Sequence, residues 1–253
     1  RRFNFIMGLL HLVQAIAMLF LATTVIQKIN EFQPEIVQFF IRYDETLRTL
    51  VVGSKLLFAL PFGILVSVFL FISAGAHALI SLPPNLSKVY EKNLAKGINR
   101  FRWFEYALSS SVMIVLIATL FGVKDIASLI LIFFVNASMN LFGLVMEQLN
   151  EGKEKVTWGS FIWGSIAGIA PWVVILIYMF GNGNFEQVPW FVWAIVGTYF
   201  VAFNTFPVNM TLQYLKVGKW KNYLYGERVY IILSLVAKSI LAWLVLFGAM
   251  QPG

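Results

Sequence analysis

Seven stretches of this chain are long and apolar enough to cross a lipid bilayer. A hydrocarbon layer about 30 Å thick requires about 20 apolar residues in a helix. The chain has 253 residues, of which 59% are hydrophobic and 12% are charged. That composition excludes a soluble domain and predicts an all-α membrane protein. The predicted spans are Phe3–Gln27, Val51–Leu82, Ile98–Phe121, Ile126–Leu149, Trp158–Phe180, Val188–Leu215 and Tyr225–Met250.

The connections between the spans are short, and no soluble domain is inserted. We therefore predict one seven-helix transmembrane domain over residues 1–253. No internal repeat of the transporter kind is evident. The absence of cysteine excludes disulfides and thiolate metal sites, and no metal is expected.

Positive charge predicts the orientation of the bundle. Most of the 19 Lys and Arg residues fall on the side that carries the N-terminus, which is therefore predicted to be cytoplasmic, with the C-terminus external. Because the net charge of +7 is distributed by membrane side, it does not indicate nucleic-acid binding. Four tryptophans lie near predicted span ends, as interface anchors do: Trp103, Trp158, Trp190 and Trp220.

The first external loop is unusually apolar for a connection. Its Ile36–Tyr43 stretch favours a β-strand, and Asp44 with Glu45 favours a turn, so a short hairpin is expected. An exposed apolar strand would promote aggregation unless it is covered. The hairpin either packs on its own bundle or reaches a second protomer, which would make the protein a homodimer.

Ionisable residues inside the predicted spans are few. Lys238 lies in the middle of the seventh span, where a charge costs roughly 2.5–3.5 kcal/mol. Such a residue is a functional candidate that needs a partner, and a buried lysine amine can also condense with a carbonyl compound to form a Schiff base. Glu105 lies at a compatible depth in the third span, and the Lys238 side chain should lean toward it. His11 and His77 are expected at one depth, on the Glu105 side.

Glu105 and the two histidines also have plainer interpretations. Glu105 could reach the interface and pair with Arg102, three residues earlier. His11 and His77 could be ordinary core histidines, although together they indicate one polar cluster. Glu147, near the end of the fourth span, is expected in the headgroup region.

Four segments of the chain resemble those of the heliorhodopsins, and the resemblance extends over essentially the whole chain. They are residues 101–114 (FRWFEYALSSSVMI), 135–139 (VNASM), 166–172 (IAGIAPW) and 225–239 (YGERVYIILSLVAKS). The last segment, which contains Lys238, is the most specific. Heliorhodopsins are inverted in the membrane relative to other microbial rhodopsins, which agrees with the orientation predicted from charge.

The resemblance implies a rhodopsin-type bundle that binds all-trans retinal covalently through a Schiff base on Lys238, with Glu105 as counter-ion. Ser234 stands where ion-pumping rhodopsins usually carry an aspartate. His11 and His77 match the family's polar cluster, to which we assign Ser73, Ser109 and Ser234 as well. The residues expected to form the walls of the retinal pocket are Met113, Asn136, Met139, Gly143, Trp163, Pro171, Phe203 and Phe206.

The predicted function is light sensing rather than pumping or enzymatic catalysis. Pumping rhodopsins carry a second carboxylate eleven residues after the counter-ion, where this chain has Leu116, and residues 110–121 contain no ionisable side chain. We therefore expect a conformational switch in the cell membrane, without net ion transport, that acts on an unidentified cytoplasmic signalling partner. The alternatives are a light-driven proton transporter or channel, and a membrane protein that uses Lys238 as a plain amine.

Overall fold

The computed structural model describes residues 1–26, 31–181 and 190–250. Eight α-helices lie in these ranges: α1 (Arg2–Phe20), α2 (Phe62–Ser81), α3 (Pro84–Ala95), α4 (Arg100–Leu120), α5 (Ile126–Leu149), α6 (Gly159–Phe180), α7 (Trp190–Tyr214) and α8 (Tyr223–Met250). A π-helical turn, Leu21–Val25, continues α1, and a 3₁₀ turn, Gly218–Lys221, precedes α8. The predicted span ends at Gln27 and Val188 lie outside the described residues.

Seven of these helices form the membrane bundle. Helices α1, α2, α4, α5 and α6 are long and apolar enough to cross a bilayer. Helices α7 and α8 have 25 and 28 residues, which is also sufficient length at about 1.5 Å per residue. Helix α1 packs on α2, α2 on α4, α4 on α5, α5 on α6, and α7 on α8. The predicted seven-helix fold is confirmed.

Local sequence signals place several helix ends. The Asn99 side chain accepts a hydrogen bond from the Arg102 amide at 3.1 Å and caps α4. Asp125 caps α5 in the same way, through the Ser128 amide at 2.8 Å. Gly122, in the tight turn between these helices, has a φ of 97°, which favours glycine.

The second predicted span, Val51–Leu82, is wrong in its first part. Residues Thr49–Ala59 form strand β2, which pairs antiparallel with β1 (Glu35–Asp44), and α2 begins only after Pro61. An uninterrupted apolar run hid this boundary, because a strand and a helix can both be uniformly apolar. The expected hairpin is confirmed, and it is longer than the Ile36–Tyr43 stretch indicated.

The base of the hairpin packs on its own bundle. Ile36 is fully buried, and the Val37 amide donates to the Lys124 carbonyl at 3.0 Å. Farther out, the cross-strand neighbours Ile41 and Val52 are 64% and 69% exposed. The base of the hairpin therefore packs on its own bundle, as one of the two predicted alternatives required. The outer half of the hairpin remains available for other contacts.

The connection predicted between the second and third spans contains helix α3. This helix is amphipathic: Ser87 and Tyr90 are buried, whereas Lys88 and Lys92 are exposed. Tyr90 accepts a hydrogen bond from the Asn4 amide at 3.2 Å, which ties α3 to the start of α1. We call the side of the bundle where α1 starts the N-terminal side.

Candidate functional site

The Lys238 amine is the centre of a buried polar site between α2, α4 and α8. The residue is 4% exposed. Its Nζ donates to Glu105 Oε1 at 2.6 Å, to Ser73 Oγ at 2.6 Å and to Ser234 Oγ at 2.9 Å. An ammonium group has three hydrogens, so these acceptors satisfy it completely. The structure therefore brings together the predicted lysine, carboxylate and two of the serines.

Glu105 neutralises this cation inside the bundle. Its Oε1 accepts hydrogen bonds from Ser73 and from Lys238, both at 2.6 Å. A buried charge without a partner costs several kcal/mol (roughly 3–5 when one member of a pair is removed), so each group requires the other. The alternative pairing of Glu105 with Arg102 does not occur. Arg102 instead forms ion pairs with Glu147 and Glu227.

The two membrane histidines lie next to each other on the N-terminal side. Their rings stack with centroids 5.7 Å apart and an interplanar angle of 17°. Gly8 permits this approach, because a Cβ at that position would lie 2.7 Å from the His77 Cβ. His77 also lines a small polar cavity of about 30 Å³ together with Glu105 and Ser234. His11 is fully buried, and among the described residues neither of its ring nitrogens has a hydrogen-bond partner.

A cavity of about 530 Å³ extends from Lys238 between α4, α5, α6, α7 and α8. Five of the eight predicted wall residues line it: Met113, Met139, Gly143, Phe203 and Phe206. Ser109, which is buried one turn after Glu105, lines it as well. Volumes of roughly 300–1,000 Å³ with mostly apolar walls are typical of sites for small organic molecules.

The structure places the other three predicted wall residues elsewhere. Trp163 lies on the outer face of α6 and is 62% exposed, so helix rotation directs it away from the cavity. Pro171 is buried within α6, and its neighbour Trp172 lines the cavity instead. Asn136 is buried in the α4–α5 interface, where its Nδ2 donates to Ser110 Oγ at 2.8 Å and to Ser111 Oγ at 3.0 Å.

The prediction missed several aromatic residues of the cavity. Tyr106, Trp172 and Phe200 line it, and Trp103, expected as an interface anchor, lines it too. Trp103 is buried and contacts Gly143, where a Cβ would overlap the indole ring. Tyr106 and Trp172 both lie in segments that carry the family resemblance. The sequence therefore marked these segments as important, but it did not show on which face of its helix each ring lies.

A second buried polar cluster lies farther toward the N-terminal side. The Arg102 guanidinium pairs with Glu147 from α5 and Glu227 from α8, and all three side chains are buried. Asn99 donates its backbone amide to Glu147 at 2.8 Å and its side-chain amide to Glu227 at 2.7 Å. Glu147 is therefore not a headgroup residue, because its charge is satisfied inside the protein. The prediction missed the cluster, since it considered Arg102 only as a partner of Glu105 and placed Glu147 in the headgroup region.

The geometry defines a class of protein: a seven-helix membrane bundle with an apolar cavity that ends at a buried lysine paired with a carboxylate. The family model for Heliorhodopsin matches residues 1–250. The chain therefore belongs to the heliorhodopsin family, whose members are retinal-binding, rhodopsin-type photoreceptors of the membrane. None of the curated proteins matches the chain.

Proposed function

We propose that this protein is a light sensor that carries all-trans retinal on Lys238 and responds to light by changing conformation, without net ion transport. One observation carries the proposal: a lysine amine, 4% exposed, ends an apolar cavity at 2.6 Å from a single carboxylate, Glu105. The proposed location is the cell membrane, with the N-terminus cytoplasmic. A signalling partner on that side would receive the response.

The cavity residues fit an elongated apolar cofactor. Retinal, when bound covalently at Lys238, supplies absorption of visible light and a light-driven change of shape. Met113, Met139 and Phe203 provide apolar contact along the cavity, and the Trp172 ring packs edge-on against Phe203 with centroids 5.7 Å apart. These side chains exclude water and restrict the cofactor to one orientation.

The acidic and basic side chains that the structure describes near Lys238 lie on its N-terminal side. Glu105 stabilises positive charge on the lysine nitrogen, and His77 with His11 extends the polar site toward the N-terminal side. Residues 110–121, in the second half of α4 and its C-terminal cap, are without an ionisable side chain. A proton that leaves the lysine nitrogen therefore has acceptors on one side, from which it can return. This arrangement favours a switch over a pump, since pumping requires a donor and an acceptor on opposite sides.

Absorption spectra test the attachment of the cofactor. Added all-trans retinal should give the expressed protein a visible absorption band, and Lys238→Arg should lose that band completely because a guanidinium does not condense with the aldehyde. Lys124→Arg, an exchange at an exposed lysine outside the membrane, is the matched control and should retain it. A band that persists in Lys238→Arg would refute the attachment site.

A light-driven pH measurement on cells that express the retinal-loaded protein tests the second part of the proposal. We expect no light-induced pH change that a protonophore abolishes. If such a change occurs, the protein is a proton transporter or channel, which is the alternative that Glu105 and the polar cavity would also permit.

We further propose a homodimer formed through the membrane helices and the outer half of the hairpin. The exposed cross-strand neighbours Ile41 and Val52 support it, because an apolar strand surface of this kind requires a cover. The bilayer covers the helices but not a loop that projects from it.

A further inference from the structure

The cluster of Arg102, Glu147 and Glu227 has no part in the function proposed above. We infer that these three residues, here called the Arg102 clamp, hold the N-terminal-side ends of α4, α5 and α8 together in the dark, and that Tyr106 couples the clamp to the Lys238 site. The inference rests on the proposed light switch and specifies which contact the switch breaks.

The Arg102 clamp holds two carboxylates against one guanidinium. Each carboxylate oxygen accepts from a donor: Glu147 from Arg102, Tyr223 and the Asn99 backbone, and Glu227 from Arg102 and the Asn99 side chain. With both carboxylates ionised, the cluster has one positive and two negative charges. The positive end of the α4 dipole, at the Asn99 cap, offsets part of the excess.

A cluster of this kind has two stable arrangements. In the closed arrangement both carboxylates contact Arg102, and all three side chains are shielded from solvent. A partly opened clamp would leave a carboxylate buried without its partner, which is strongly unfavourable, so the helix ends must separate far enough for water to reach it. The clamp is therefore either closed, with its ion pairs intact, or open, with its carboxylates hydrated. A conformational switch requires a two-state element of this kind.

Three direct contacts connect the Lys238 site to the Arg102 clamp. Lys238 Nζ lies 5.4 Å from the centre of the Tyr106 ring. The Tyr106 hydroxyl donates to the Tyr230 carbonyl at 2.9 Å, and the Tyr230 ring stacks under the Arg102 guanidinium, 3.9 Å from its central carbon. A movement of the lysine nitrogen therefore acts on Tyr106 directly and on Arg102 through α8.

Tyr106 is a positioning residue in this scheme. It follows the counter-ion Glu105 in sequence and lies one helical turn after Arg102, so the two sites share one rigid segment of α4. Its hydroxyl bond to α8 is the link that can be removed without removing the ring. Tyr106→Phe should therefore weaken the effect of light on the clamp, measured relative to the amount of retinal-loaded protein that the variant's own visible band reports.

Spin labels can measure the separation of the helix ends directly, because the chain has no native cysteine. Lys153→Cys, after α5, and Lys221→Cys, before α8, are both exposed. In retinal-loaded, membrane-reconstituted protein, we expect illumination to shift the label distance to a longer population. Glu227→Gln should increase that longer population in the dark by at least about fivefold. Glu147→Gln should have the same effect, and it replaces Glu227→Gln in the experiment if that variant does not fold.

Two control variants separate the clamp from general effects. Glu151→Gln removes an exposed ion pair with Lys96 at the same side of the bundle and should leave the dark distance unchanged. Tyr225→Phe alters a tyrosine that packs on Trp220, away from the three contacts, and should retain the full light response. A retained visible band in each variant shows that the retinal site is folded.

The outcomes distinguish the inference from the function on which it rests. If the clamp variants keep the short dark distance, the clamp does not hold the helix ends and the inference is wrong. If they lengthen it in the dark while light has no effect on the parent protein, the clamp stands and the light switch fails. If Tyr106→Phe responds to light as fully as the parent protein, the coupling through Tyr106 is refuted.

Discussion

At the scale of single residues, the Lys238 site depends on one carboxylate. Among the residues that the structure describes, Glu105 is the acid that pairs with Lys238, and Ser73 and Ser234 supply only neutral hydroxyl groups. A serine at position 234 therefore has a direct electrostatic consequence. It leaves the cation with a single counter-charge, so the stability of that cation should respond sharply to a change at position 105.

We predict that Glu105→Gln strongly changes the visible spectrum of the retinal-loaded protein. The amide keeps the size of the side chain but removes the negative charge, so the lysine nitrogen should lose its proton at lower pH than in the parent protein. Absorption spectra recorded across a pH series measure this effect, with Glu151→Gln as the control for loss of an exposed carboxylate. An unchanged spectrum across neutral pH would remove Glu105 from the role of counter-ion.

At the scale of the elements, close contact between α1 and α2 positions the histidine pair. Gly8 lies against the Cβ of His77, so the two helices approach more closely than a larger residue would allow. Both elements also carry the local irregularities of the fold. Helix α1 ends in a π-helical turn, and α2 starts late because Pro61 separates it from the hairpin.

Gly8→Ala should therefore destabilise the protein by about 1–3 kcal/mol, the usual cost of overpacking. The added methyl group would lie 2.7 Å from a Cβ atom, which cannot move without its helix. Loss of the visible band on heating measures the change. Gly75→Ala on α2 is the control, since no atom lies within 4 Å of its added Cβ. Equal stability of the two variants would mean that α1 and α2 do not require the close approach.

At the scale of the whole molecule, the two ends of the bundle differ in character. Ion pairs and buried polar groups concentrate on the N-terminal side, whereas an apolar core fills the other half, with Phe69, Leu70, Ile114 and Ile117 fully buried. The hairpin projects from that apolar half. Structural change on illumination is therefore expected on the N-terminal side, and contact between protomers on the other.

The double variant Ile41→Lys, Val52→Lys should convert the proposed homodimer to a monomer while retaining the visible band. Two charges placed on neighbouring exposed positions would be desolvated at an interface, which opposes association. Light scattering of the detergent-solubilised protein measures the mass, and Glu45→Lys at the exposed hairpin turn is the control. A parent protein of monomer mass would contradict the proposed dimer.

The membrane class, the seven helices, the hairpin and the partners Lys238 and Glu105 could be predicted from the sequence, because each depends on a local property. The length of an apolar run decides whether a helix can span, and a charge in such a run requires a partner at the same depth. Boundaries between uniformly apolar elements could not be located from the sequence, as the strand at Thr49–Ala59 shows.

Only the tertiary structure decided which side chains meet. It directs Trp163 outward and Tyr106 inward, and it pairs Arg102 with Glu147 and Glu227 from two other helices. Depth along a helix follows from counting residues, but rotation about the helix axis depends on packing against all neighbours at once. The sequence by itself therefore determined the lysine and the carboxylate that pairs with it, whereas the fold alone determined the cavity walls and the Arg102 clamp.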